Sequence, residues 1–340
     1  MESKNKTAYF QWLRLFAAFA VVLMHTEGSF WPAVDFRTSK WLVLTAWDAL
    51  VRWPVPVFLM ITGALFLPRR TTLKAVLTHY IPRMVLAFFF WSGVCVLYGL
   101  SQGDREGLLL RFLTGHYHLW YLPFLCGVYL ALPFLQKIVT EERLARQLLA
   151  VSFVVGIAIP WLGDLAVLCR PDWSGVVGSV KNSLHFTFFF DLLAVLLLGH
   201  ELHWRELTGK QRHLLYLAGI LGAALTFPLT LWASHRAGTQ STLFCQITAP
   251  TTLCAAAALF VFTKYNLTRL PKLAAVLADC SFGIYLVHAP ILDFLADRGI
   301  HALAGDPVWT VPALAAAVFA LSWAVTAIFR RIPLAGKYLM

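Results

Sequence analysis

Ten apolar runs, each long enough to cross a bilayer as a helix, dominate this sequence. A membrane-spanning helix needs about 20 mainly apolar residues, because each residue rises about 1.5 Å and the hydrocarbon core is about 30 Å thick. The runs lie near residues 9–27, 41–66, 78–100, 118–137, 147–167, 184–202, 213–234, 242–263, 274–296 and 308–330. They predict an all-α, polytopic integral membrane protein with about ten transmembrane helices.

The composition supports this class and gives no sign of a second domain. The chain is 59% hydrophobic and 13% charged, whereas a soluble domain carries about 25% charged residues. No linker or change of composition divides residues 1–340, so we expect a single transmembrane domain without an appended soluble domain. The first run lacks a small-residue cleavage site and is interpreted as a retained span rather than a signal peptide.

The positive charges predict the orientation rather than a nucleic-acid partner. The net charge is +11, and 18 of the 28 Lys and Arg residues lie at the N-terminus or on the even-numbered connections between runs. Eight lie on the opposite side, and two lie within spans. Because cytoplasmic loops carry the excess of Lys and Arg, both termini are predicted to be cytoplasmic. The expected surroundings are a lipid bilayer, with no nucleic acid.

Arg14 and His25 are the first candidate pair. Eleven residues at 100° each place the two side chains about 20° apart on a helix and about 16 Å apart along its axis. An Arg within a span normally faces protein or a polar cavity, because exposure to lipid costs at least about 2.5 kcal/mol. The alternative is a snorkelling Arg near one end and a His among the headgroups.

The second run contains another unusual set of residues. Asp48 and Arg52 have the four-residue spacing of a pair on one helix face, and Pro54 and Pro56 predict a kink. Gly63 would allow close helix packing. The pair either neutralises itself inside the bundle or lines a cavity, and the cavity is favoured because the ion pair still needs polar surroundings.

The roles of three other polar residues cannot be assigned from residue type and position alone. Arg83 fits an ordinary anchor at the cytoplasmic interface, and His118 fits either a proton-transfer group or a headgroup contact. His288 falls near the middle of the ninth run, where it is equally compatible with a structural and a functional role. No zinc-binding spacing, phosphate-binding Gly-rich loop or nucleophile-elbow motif occurs, so no metal is expected.

Four stretches resemble acyltransferase family 3, in particular its short single-domain members that O-acetylate bacterial surface polysaccharides. They are Trp12-Leu-Arg14 with His25 eleven residues after Arg14, Pro54-Val-Pro-Val-Phe58-Leu-Met-Ile-Thr62-Gly63, His118-Leu-Trp120-Tyr121-Leu, and Phe282-Gly-Ile-Tyr285-Leu-Val-His288. Leu59 stands where a second Phe is usual in that family and Thr62 stands where Ser is usual, which leaves the role of Thr62 open.

The resemblance implies an O-acetyltransferase that moves an acetyl group from acetyl-CoA, or a similar acyl-CoA, to a hydroxyl of a surface polysaccharide or lipid-linked glycan. In this hypothesis His25 is the general base, oriented by Asp48 or Glu27. The other expected site residues are Arg14, Arg83, Trp120 and Tyr121 for the donor, and Arg52, Thr62, His118, Tyr285 and His288 for the substrate cavity. The implied location is the bacterial inner membrane, and a homo-oligomer is compatible with the sequence.

Two other function classes fit parts of the pattern. A secondary transporter or flippase for a lipid-linked sugar would also have ten spans, charges within the membrane and a proline-kinked helix. It would move substrate without consuming acyl-CoA. A sensor or scaffold with a vestigial site would tolerate replacement of both Arg14 and His25. Release of free CoA by the purified protein with acceptor separates the enzyme from the transporter.

Overall fold

A computed structural model describes residues 8–184 and 187–340, and within these ranges the chain is helical and contains no β-strand. This confirms the predicted all-α class. The helices are α1 (Ala8–Gly28), α2 (Ser39–Leu50), α3 (Pro54–Phe66), α4 (Leu73–Ser101), α5 (Leu108–Thr114), α6 (Tyr121–Ile138), α7 (Glu142–Cys169), α8 (Ser174–Leu184), α9 (Thr187–Trp204), α10 (Gly209–Ala237), α11 (Pro250–Asn266), α12 (Lys272–Asp279), α13 (Ser281–Ala296), α14 (Pro307–Phe329) and α15 (Pro333–Tyr338).

Seven segments of the described chain are long and apolar enough to span a membrane, or eight if α12 and α13 together form one span. The chain is therefore a multi-pass membrane protein, but the predicted count of ten is not confirmed. The run predicted at 242–263 corresponds to α11, which has only 17 residues. The run predicted at 184–202 corresponds to α9 and begins partly outside the described residues. The cytoplasmic placement of both termini stays a prediction.

Two predicted spans are interrupted. The prolines of the second run do not kink a continuous helix: α2 ends at Leu50 and α3 starts at Pro54, in the first turn, where a missing N–H costs no hydrogen bond. In the ninth run, α12 and α13 meet at Cys280 with a bend of 63°. Each interruption places non-helical backbone inside the bundle.

The first helix lies at the centre of the bundle and positions the site. α1 packs against α2, α3, α11, α12, α13 and α14. Leu13 and Ala17 on α1 are fully buried, as expected for a helix surrounded by others. Arg14 and His25, which are both partly exposed, lie on this packed helix and line a cavity inside the bundle.

The predicted close packing at Gly63 is confirmed. A β-carbon on Gly63 of α3 would lie 1.8 Å from the carbonyl oxygen of Leu196 on α9. The contact is reciprocal, since a β-carbon on Gly199 would lie 2.2 Å from the backbone of Met60. The two backbones touch because both positions lack a side chain. This contact fixes α3, which supplies one wall of the site.

Candidate active site

A cavity of about 820 Å³ lies between α1, α3, α4, α6 and the α12–α13 break. Arg14 and His25 both line it, so the cavity extends along about 16 Å of the α1 axis. Nine of the twelve predicted site residues contribute to its wall: Arg14, His25, Arg52, Thr62, Arg83, His118, Trp120, Tyr121 and Tyr285. The remaining three, Glu27, Asp48 and His288, have no exposed surface and are not part of the wall.

At one end of the cavity, the imidazole of His25 contacts a second imidazole. Its Nδ1 lies 2.7 Å from Nε2 of His288 on α13, and the two rings stack with an angle of 18°. Nδ1 of His288 lies 2.7 Å from the carbonyl oxygen of Tyr285. The ring of Tyr117 stands edge-on to His25, with 5.3 Å between the ring centroids. His288 therefore lies behind His25, where it cannot touch a molecule in the cavity.

The two carboxylates proposed as partners of His25 lie elsewhere. Asp48 forms an ion pair with Arg52, and the carboxyl of Glu27 lies beside that of Asp48. Glu27 follows His25 by two residues, which is a rotation of about 200° on a helix, so the two side chains point to opposite sides of α1. In this structure the imidazole of His25 is held by His288, and neither carboxylate orients it.

A second pair of histidines supports the same end of the cavity. Nδ1 of His116 lies 3.0 Å from Nδ1 of His118, and the other nitrogen of His118 lies 3.2 Å from the carbonyl oxygen of Leu286. Nε2 of His116 lies 3.2 Å from a carboxylate oxygen of Asp293. These contacts tie the 3₁₀ turn at Tyr117–Trp120 to α13. They thereby fix the position of the Tyr117 ring against His25.

The opposite end of the cavity is basic. Arg14 donates to the amide oxygen of Gln11 at 3.4 Å, and Gln11 donates to Asp279 at 3.1 Å. Arg83 lies over the ring of Phe282 and donates to the carbonyl oxygen of Met340 at 2.5 Å. Arg14, Arg83 and Asp279 all line the cavity. Two guanidinium side chains and one carboxylate side chain therefore line this end of the cavity.

The middle of the cavity has an apolar wall with a few hydroxyl groups. Thr62 donates to the carbonyl oxygen of Phe58 at 2.9 Å, and its hydroxyl lies beside that of Tyr121. The hydroxyl of Tyr285 donates to the carbonyl oxygen of His118. Trp120 packs edge-on to Tyr121 and is 40% exposed. Most hydroxyls here already have a protein partner, which fixes their positions.

Some lining residues were not predicted from the sequence. Tyr117 and Ser29 lie at the His25 end, and Tyr129 lies near the Arg14 end. The sequence did contain a signal for Tyr129: it follows Tyr121 by eight residues, so both lie on the same face of a helix. Tyr121, Leu125 and Tyr129 all line the cavity. Within the described residues, no group of three His, Cys, Asp or Glu side chains is placed to hold a metal ion.

One of three comparisons with known proteins found a match. A family model described as an acyltransferase domain matches residues 7–327 of the 340 residues, a range that contains all twelve predicted site residues. No curated protein matches the chain, and no solved structure matches it. The matched range includes both ends of the cavity and the helices that form its wall.

Proposed function

Because this chain belongs to acyltransferase family 3, we propose that it is a membrane O-acyltransferase that moves an acetyl group from acetyl-CoA to a glycan hydroxyl. The acceptor is a surface polysaccharide or a lipid-linked glycan. One observation carries the proposal: a single cavity is lined by a guanidinium at one end and an imidazole at the other. Such a cavity can hold an anionic acyl carrier and an acceptor hydroxyl together.

The Arg14 end suits the donor. Coenzyme A carries several phosphate charges, and guanidinium groups bind phosphate oxygens with two parallel hydrogen bonds. Arg14 and Arg83 are both available from the cavity, and the ring of Phe282 beside them is apolar. Trp120 and Tyr121 extend an aromatic surface from there toward His25. An acyl-CoA bound at the arginines would direct its acyl end along this surface.

The His25 end suits the acceptor. In the proposed reaction, the acceptor hydroxyl transfers its proton to His25 while its oxygen attacks the thioester carbonyl carbon. The new C–O bond forms, the C–S bond breaks, and the departing thiolate takes the proton back from His25. No proton or electron is gained or lost overall. Arg52, Tyr117 and Ser29 surround the position where the acceptor would lie.

The proposed orientation follows the distribution of positive charge. With both termini in the cytoplasm of a bacterium, the Arg14 end faces the cytoplasm, where acyl-CoA is made, and the His25 end faces outward. The protein then lies in the inner membrane, and the acyl group crosses the bilayer within the cavity. A homo-oligomer is compatible with the sequence, and the proposal assigns every role to residues of one chain.

The test is release of free CoA by the purified protein in nanodiscs, supplied with acetyl-CoA and lipid-linked glycan extracted from the source organism. We expect His25→Ala to lower kcat for CoA release by at least about 10²-fold, as for loss of a general base, and Arg14→Ala to raise the KM for acetyl-CoA. The exposed residues His213 and Arg143 provide matched controls, and H213A and R143A should keep the parental rate. Full turnover in H25A would overturn the proposal. Movement of the glycan without CoA release would favour the transporter.

A further inference from the structure

The contact between His25 and His288 determines where the protons of both rings lie. The two residues are 263 positions apart, and their ring nitrogens are separated by 2.7 Å. The other nitrogen of His288 faces two backbone carbonyl oxygens, of Tyr285 at 2.7 Å and of Ile284 at 3.2 Å. A carbonyl oxygen only accepts hydrogen bonds, so Nδ1 of His288 must carry a proton.

A neutral imidazole has one N–H and one lone pair. Since the proton of His288 is on Nδ1, its Nε2 carries the lone pair and accepts. The hydrogen bond to His25 then requires a proton on Nδ1 of His25. The remaining nitrogen of His25, Nε2, is left with a lone pair and without a protein partner among the described residues. This is the nitrogen that a general base needs.

We propose that His288 is a positioning residue that holds His25 in the tautomer with a free Nε2. The inference rests on the proposed acyltransferase function, because it assigns His25 as the base. His288 does not touch the substrates, since its side chain is fully buried and does not line the cavity. It acts through His25 alone.

The surroundings of the two rings make this an uncharged arrangement. His25 faces His288, the ring of Tyr117 and the guanidinium of Arg52. His288 also lies near the ring of His118. Among the described residues, the ring nitrogens of His25 form no hydrogen bond with a carboxylate. When His25 takes the acceptor's proton, the neighbour that accepts its remaining N–H is the second imidazole, across the hydrogen bond of 2.7 Å.

The helix that carries His288 is held firmly enough for this task. A β-carbon on Gly283 would lie 2.2 Å from a methyl carbon of Thr326, so α13 and α14 touch directly. The hydroxyl of Tyr285 is bonded to the backbone of His118 on the other side. A positioning residue needs such fixed support, because small displacements of a base reduce catalysis strongly.

Two amide substitutions separate the two nitrogens of His288. In His288→Gln the side-chain amide reaches the position of Nε2, and its oxygen can accept from His25. In His288→Asn the shorter amide reaches only the position of Nδ1, so it can still donate to the carbonyl of Tyr285 but cannot reach His25. Both variants are polar and neutral, which makes each a control for the other.

We expect H288N to lower kcat for CoA release by about 10²-fold or more, as for loss of a general base, and H288Q to stay within about tenfold of the parent. The KM for acetyl-CoA should be unchanged in both, because His288 does not line the cavity. Rates are expressed per molecule that binds CoA in a calorimetric titration, so that a partly unfolded preparation does not distort them. Equal rates in the two variants, or a parental rate in H288N, would overturn the inference.

The result can be distinguished from failure of the proposed function. If H25A is inactive while H288N is fully active, the acyltransferase assignment stands and only the positioning role fails. If H25A keeps full turnover, the general-base assignment itself fails. A drop in kcat for H288N with near-parental kcat in H288Q, while the KM for acetyl-CoA is unchanged in both, supports both assignments.

Discussion

Arg52 lies between two buried carboxyls: it pairs with Asp48, and Glu27 lies beside Asp48 on the adjacent helix. Both acids have no exposed surface. We expect Arg52→Met to lower the free energy of unfolding by about 3–5 kcal/mol, because two buried carboxyls would lose their only cation in this cluster of described residues. Asp48→Asn should cost less, since Glu27 remains near the guanidinium. Thermal and denaturant unfolding in detergent micelles measure the difference.

The chain offers a matched control for this prediction. Arg146 also lies between two carboxylates, Glu142 and Glu201, but its side chain is 48% exposed. Exposed ion pairs contribute about 0–1 kcal/mol, so Arg146→Met should leave stability nearly unchanged. If R52M were as stable as R146M, or if D48N were less stable than R52M, Arg52 would not be the group that stabilises the two buried carboxyls.

The contact of Gly63 with Leu196 gives a second prediction. A β-carbon at 1.8 Å from a backbone oxygen cannot be accommodated without moving α3 away from α9. Gly63→Ala should therefore lower stability by about 1–3 kcal/mol, as overpacking does, and displace one wall of the cavity. Gly127→Ala is the control, because nothing lies within 4 Å of its added carbon and Ala is favoured over Gly in a helix by about 1 kcal/mol. Equal melting temperatures for the two variants would contradict this packing.

Local spacing was sufficient to predict several parts of the site. Arg14 and His25 were expected on one face of a helix, and both line the cavity. The four-residue spacing allowed Asp48 and Arg52 to pair, and they do. The favoured cavity role holds for Arg52, which lines the cavity, but Asp48 does not line it. The family was also identified from short stretches and is confirmed by the match over residues 7–327. Each of these depends on residues close in sequence or on a known pattern.

The remaining features depend on how distant helices pack. No local rule brings His288 to His25 across 263 positions. From the sequence alone, only Asp48 and Glu27 were therefore considered as partners of His25. The predicted count of ten spans is not confirmed for a related reason: hydropathy does not show that α11 stops after 17 residues or that the ninth run bends by 63° at Cys280. Helix ends and bends inside a bundle are decided by tertiary contacts.

A third prediction concerns the donor end and rests on the proposed function. Arg14→Ala should raise the KM for acetyl-CoA by about 10- to 100-fold, the effect of losing hydrogen bonds worth about 1.5–3 kcal/mol to a charged group. Arg14→Lys keeps the charge but not the fork, so its KM should fall between those of R14A and the parent. Steady-state CoA release over a range of acetyl-CoA concentrations measures this, with R143A as the control. An unchanged KM in R14A would place the donor elsewhere.

The last prediction concerns the hydroxyl pair in the middle of the cavity. Thr62 uses its only hydroxyl proton in the bond to Phe58, so toward Tyr121 it can act only as an acceptor. Thr62→Val keeps the shape and removes that acceptor, which frees the Tyr121 hydroxyl to rotate beside the reacting groups. We expect kcat/KM for CoA release to fall by about tenfold, the equivalent of one hydrogen bond.

Thr62→Ser is the matched control for T62V. It retains the hydroxyl and loses one methyl group, so it should stay within about threefold of the parent, since one methylene-sized change costs less than about 1 kcal/mol at a wall that faces open space. Because Tyr121 supplies the other half of the pair, Tyr121→Phe should reduce kcat/KM to a similar extent as T62V, and the double variant should be no worse than either single one. Additive losses in the double variant would show that the two hydroxyls act independently.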